Sequence, residues 1–214
     1  MMGRGGVGVF LGLMACGSVQ LNGTAGDVDV RNARSVGYDR VTLELPIYGA
    51  VDWLVLVLSD ADDACSVVPQ LSSETVPSDC AEQCRYYQDA VDAGGAAGGE
   101  AWGMTIALNP LDDVEGEYLF DPDFQPTTFY GHHDNWQLGY LADSAGCEEA
   151  CRDGVAVPGA YTEMSGGVID VPRYDPDGVL KAKLDLAFGL ERVSGSLRAF
   201  PCDLSSWAWW EQSR

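Results

Sequence analysis

Positive charge is scarce in this chain. Its 214 residues hold 12 Lys and Arg against 33 Asp and Glu, a formal charge of −21. A field of that sign opposes contact with phosphodiester backbones, which excludes nucleic acid as a partner, and it would likewise repel anionic lipid head groups. Histidine is almost missing: His132 and His133 stand alone, beside Asp134. Adjacent residues of an extended chain face opposite ways, so this pair reads as loop polarity rather than as a metal site. No apolar run reaches the about 20 residues that a membrane-spanning helix needs. Enzyme signatures are missing too, with no G-x-S-x-G elbow, H-E-x-x-H, P-loop or dinucleotide fingerprint. Ser165, in EMSGG, reads as a turn serine. These absences favour a non-enzymatic protein. The alternative is a secreted hydrolase using loop carboxylates or a loop-bound metal, since a chain this acidic always offers a carboxylate pair.

What is present begins with MMGRGGVGVFLGLMAC, residues 1–16. One cation, Arg4, precedes an apolar stretch that stops at a cysteine, which suits the apolar region of a secretory leader. Leu13-Met14-Ala15-Cys16 resembles the lipobox of bacterial prolipoproteins. The resemblance implies cleavage before Cys16, diacylglycerol on its thiol and acylation of the new amino terminus. It therefore implies an exported protein anchored by lipid in the cell envelope. Gly17 follows the cysteine where Asp would mark inner-membrane retention, so the family pattern implies the outer membrane. Loss of residues 1–15 removes Arg4 and leaves 11 basic against 33 acidic residues, a formal charge of −22. Residues 16–25 then read as a short lipid-proximal tether, and residues 26–203 as a single domain.

An acylated Cys16 leaves six cysteines, an even number that reads as a disulfide framework outside the cytosol. Cys80 and Cys84 in DCAEQC, and Cys147 and Cys151 in GCEEAC, share a C-x3-C spacing. Residues i and i+4 share one helix face, so two short helices could meet through two bonds. The expected pairing is Cys80–Cys151 and Cys84–Cys147, which leaves Cys65 for Cys202. The competing reading, a four-thiolate zinc site, belongs to compartments where thiols stay reduced.

The body alternates with period two. In DRVTLELPIY, Val41, Leu43, Leu45 and Ile47 oppose Thr42, Glu44 and Pro46; in GVLKAKLDLAFG, Leu180, Ala182, Leu184, Leu186 and Phe188 oppose Lys181, Lys183 and Asp185. Strands with one wet and one dry face belong to antiparallel sheets. WLVLVL, residues 53–58, is apolar throughout and reads as a strand covered on both faces. Further strands are expected over 26–36, 101–108, 115–120, 166–171 and 191–200. The expected fold is mainly β: an antiparallel β-sandwich of about eight strands, with a closed β-barrel as the alternative. Two partly helical insertions, about 66–100 and 121–165, are expected to be joined by the two C-x3-C pairs. A hairpin of 101–108 with 115–120 around NPLDDVEG would bring both insertions to one end of the sheet.

Binding candidates are aromatic. Tyr130 and Trp136 lie in FYGHHDNW, and Trp207, Trp209 and Trp210 crowd the tail at 204–214. Indole and phenol rings stack on sugars or anchor protein interfaces, so the expected partner is a glycan or a protein. No cofactor is required. Calcium is the one metal with candidates, Asp60, Asp62 and Asp63, because converging loop carboxylates are its preferred ligands. The body, with one cysteine after a strand ending in LSD and another after the last strand, also resembles exported bacterial lipoproteins to which no activity is attached.

Overall fold

The computed structural model describes residues 17–26, 28–45, 49–66, 82, 85, 101–110, 113–120, 130–139 and 155–204, with side chains left aside at 43–45, 49, 101, 130–139 and 155–161. Among the described residues the chain is mainly β, in eleven strands: β1 (Ser18–Ala25), β2 (Val28–Asp29), β3 (Ser35–Leu45), β4 (Gly49–Ser59), β5 (Ala101–Leu108), β6 (Gly116–Leu119), β7 (Tyr130–Gly139), β8 (Val155–Glu163), β9 (Gly166–Arg173), β10 (Leu180–Phe188) and β11 (Glu191–Pro201). A 3-10 turn over Val30–Asn32 links β2 to β3. The strand expected over 26–36 is therefore broken: Asp29 caps the turn by accepting from Arg31 N, and pairing resumes at Ser35.

Two antiparallel blocks make up the sheet. One runs β6-β9-β10-β11-β1 and the other β3-β4-β5-β7-β8. They are joined edge to edge, because β11 and β3 pair in parallel at Phe200↔Gly37 and Pro201↔Tyr38. The result is one mixed sheet that curls into a half-barrel, mainly β as expected and with one parallel pairing among the antiparallel ones. Among the described residues the path of pairings ends at β6 and β8 and does not close into a barrel.

Alternation places the core. Leu180, Ala182, Leu184, Leu186 and Phe188 of β10 are buried while Lys181, Lys183 and Asp185 are exposed, as expected. The buried set meets Leu54, Leu56 and Leu58 of β4, Trp102, Met104, Ile106 and Leu108 of β5, and Val193, Leu197 and Ala199 of β11 in one cluster. The other face of β4, Trp53, Val55 and Val57, packs with Ala64, Ala107 and Leu204 in a second cluster. β4 is thus covered on both faces, as its unbroken apolar run requires.

Three further expectations fail, each for a pairing reason. β5 does not form a hairpin with β6: it lies between β4 and β7, while β6 crosses to β9, where Tyr118 faces Ile169. The shared-end argument for the two insertions goes with that hairpin. Residues 130–139 and 155–163 are strands rather than insertion, because β7 supplies the backbone partners of the second edge of β5 and β8 pairs with β7. Residues 18–25 are not a tether. Val19 and Leu21 alternate with Gln20 and Asn22, and β1 pairs with β11 from Ser18↔Arg198 to Gly23↔Val193.

Two core phenols respond to alkali. Burial, reinforced by Tyr174, Asp175, Asp177 and Asp39, pushes the Tyr38 hydroxyl up to about 12; burial and Asp113 do the same for Tyr118. The unfolded chain releases these protons near 10.0 and so binds fewer protons than the folded one between the two values. Stability should be whole below pH 10 and fall as the pH rises toward 12, read by urea denaturation at stepped pH. In the same assay Leu56→Ala, at a fully buried site, should cost about 3 kcal/mol, and Leu190→Ala, fully exposed, almost nothing.

Candidate functional site

The turn after β4, Ser59-Asp60-Ala61-Asp62-Asp63, is built from short polar side chains that satisfy backbone groups. Ser59 Oγ donates to Trp102 O at 2.7 Å and accepts from Ala61 N at 3.0 Å. Ser35 Oγ donates to Ala61 O at 2.7 Å and accepts from Ala64 N at 2.8 Å. Both hydroxyls are buried, and buried polar groups hold a loop firmly when each finds a partner. Asp63 then starts a helical turn, its carboxylate accepting from Cys65 N at 3.1 Å, Ser66 N at 3.3 Å and Ser66 Oγ at 2.7 Å.

This scaffold delivers Cys65 to Cys202. The two form a disulfide with Cα atoms 6.2 Å apart, closing a sequence separation of 137 residues. The bridge lies directly on the seam. A Cβ on Gly37 would stand 2.0 Å from Cys65 Sγ and 2.6 Å from Cys202 Sγ, so only glycine leaves room beneath the sulfurs. Just beyond Pro201, which has no N–H to give the ladder, Cys202 N donates to Tyr38 O at 2.9 Å. Leu204 N donates to Asp39 Oδ2 at 2.8 Å and ties down the next residues.

The same seam receives the start of the domain. β1 occupies the edge of β11 as far as Arg198, and β3 takes that edge over at Phe200. Gly17 sits at the handover, where a Cβ would meet Arg198 O at 2.5 Å and Val36 O at 2.7 Å. Sequence reasoning read Gly17 as a sorting residue and missed Gly37 altogether. Close approach across strands distant in sequence leaves no local signal at either position.

The structure disperses the calcium candidates. Asp60 Oδ1 accepts from Trp102 N at 2.8 Å, Asp62 Oδ1 meets Arg34 Nη1 at 3.4 Å, and Asp63 caps its helical turn. Each carboxylate turns to a different structural partner, a correction to their reading as converging ligands. Among the described residues no three His, Cys, Asp or Glu gather to hold a metal. His132 and His133 lie on β7, opposite Glu163 and Thr162 of β8, rather than in a loop. Tyr130 and Trp136 lie on the same strand, opposite Ala107 and Ala101 of β5. Ser165 donates to Ala187 O and accepts from Gly189 N at 2.9 Å, as a turn serine does. Cys16, Cys80, Cys84, Cys147, Cys151, Trp207, Trp209 and Trp210 lie outside the described residues.

No protein-family model, curated protein or solved structure matches the chain.

The arrangement is mechanical: it clamps the two blocks together at the point where the chain enters the sheet. Gly37→Ala should force the bridge and β3 apart and cost about 3 kcal/mol in the oxidised protein. Removing the bridge as Cys65→Ala/Cys202→Ala should cost about 5 kcal/mol by loop-closure entropy and should relieve most of the Gly37→Ala penalty. Denaturation of the single, double and triple variants checks both.

Proposed function

We propose that this protein is an exported lipoprotein of the bacterial cell envelope, cut before Cys16, acylated there, and held at the outer membrane. Its domain is a non-enzymatic module that binds a glycan or protein partner or serves a structural role. The observation that carries this reading is the Cys65–Cys202 bridge, seated on a glycine that leaves space for nothing else. A fold built around a disulfide suits an oxidising compartment, which a leader ending at a cysteine would reach. Cys16 as the acylated residue accounts for the odd seventh cysteine.

The remaining cysteines follow the same logic, with Cys80–Cys151 and Cys84–Cys147 as further bridges. Tyr130, Trp136, Trp207, Trp209 and Trp210 are the aromatic groups for partner contact. The two blocks work as facing layers in the manner of a sandwich. That reading is supported by the cluster they share, in which β4 and β5 meet β9, β10 and β11.

Intact-mass spectrometry of protein purified from membranes tests the assignment. The expected mass lacks residues 1–15, carries lipid on Cys16 and has no free thiol. Cys16→Ser should leave an unprocessed precursor. A native mass that retains residues 1–15 without lipid would refute the anchor, and free thiols would refute the remaining bridges.

A further inference from the structure

Five of the eleven basic residues that follow the leader lie on the outward face of β9, β10 and β11: Arg173, Lys181, Lys183, Arg192 and Arg198. They fall into rows that differ in kind. Lys183 is paired with Asp170 at 3.7 Å, and Arg192 with Asp185 at 2.7 Å. The row Arg173–Lys181–Arg198 has no such partner among the described residues. Lys181 stands opposite both Arg198 on β11 and Arg173 on β9, and all three are exposed. Among the described residues no carboxylate forms an ion pair with any of them.

Directly opposed residues of neighbouring strands have Cβ atoms about 5 Å apart, and like charges so placed destabilise the sheet. A chain with 33 acids has ample means to neutralise this row as it does its neighbours, and among the described residues no acid does so. The nearest acids along the chain, Asp175 and Asp177, belong to the β9–β10 turn. That turn is tied toward the core by Tyr38 Oη donating to Asp175 O, and Asp175 Oδ1 accepts from Asp177 N. Arg198 is braced with its guanidinium over the Phe200 ring, 5.2 Å from the centroid, which leaves its N–H edges free to donate.

The row also has a fixed position relative to the chain's start. Ser18 stands opposite Arg198, two residues after Cys16, and Gly17 is wedged against Arg198 O and Val36 O. Each residue spans at most about 3.6 Å, so a lipid carried on Cys16 would be joined to Ser18 by no more than about 7 Å of chain. An acyl chain on Cys16 would therefore hold the row among lipid head groups. The net negative charge of the whole molecule acts weakly there, because salt screens charges beyond about 8 Å.

We propose that Arg173, Lys181 and Arg198 form a head-group contact that takes the phosphates of anionic phospholipid, setting the orientation of the domain on the bilayer. The proposal rests on the reading of Cys16 as acylated. Lys181 and Lys183 are the only lysines in the sequence, which makes amine acetylation a direct footprint of two adjacent rows. The lipidated protein is reconstituted into nanodiscs of phosphatidylcholine alone or rich in phosphatidylglycerol, acetylated briefly and read by peptide mass spectrometry. Lys181 should lose reactivity several-fold in the anionic discs, while Lys183 changes little. Arg173→Gln/Arg198→Gln, which keeps Lys181 as the reporter, should abolish most of the difference. Protein that does not stay on the discs would overturn the anchor and this proposal with it. Protein retained on both discs with Lys181 equally reactive would overturn this proposal alone.

Discussion

Two backbone pairings hold this fold together. Phe200↔Gly37 and Pro201↔Tyr38 form a parallel seam two residues long between antiparallel blocks that are otherwise separately paired. So short a ladder has little strength of its own. It is reinforced by the Cys202 N–Tyr38 O bond, by the Cys65–Cys202 bridge and by the core that spans both blocks. The bridge can sit there only because Gly37 has no side chain, and Cys65 reaches it only because Ser35, Ser59 and Asp63 satisfy the turn that presents it. A run of local choices thus converges on one covalent contact.

Much of this could be read in the sequence where burial is local. The unbroken apolar run of β4 announced a strand covered on both faces, and the alternation of β10 announced one wet face. The Cys65–Cys202 pair followed by elimination, once the two C-x3-C pairs were matched to each other. Pairings between distant segments could not be read this way. β6 lies next to β5 in sequence but pairs with β9, since nothing in GEYL states which edge it will join. YGHHDNWQLG carries no period-two pattern, yet it pairs with β5 and β8. SVQLNGTA has the alternation of a strand but follows the leader so closely that it reads as linker. The cation row was hidden for the same reason: Arg173, Lys181 and Arg198 are neighbours only through the register of three strands.

That register changes what the anchor means. A lipoprotein with a tether would present its domain freely, whereas on the proposed acylation of Cys16 the first strand would begin two residues after the lipid and hold the domain against the bilayer. The acidic surface and the local basic row then act at different ranges. The first opposes contact with polyanions at a distance, and the second, on the proposed anchoring, would meet head groups at contact. On this account the seam sets both the stability of the domain and its orientation on the membrane.

Native-state amide hydrogen exchange of the oxidised protein tests the central claim most directly. If the bridged seam joins the blocks into one unit, the slowest amides of β4 and β5 and those of β9, β10 and β11 should exchange with a single free energy, equal to that of global unfolding. Two blocks that open independently, each with its own lower free energy while Cys65 and Cys202 remain bonded, would contradict it.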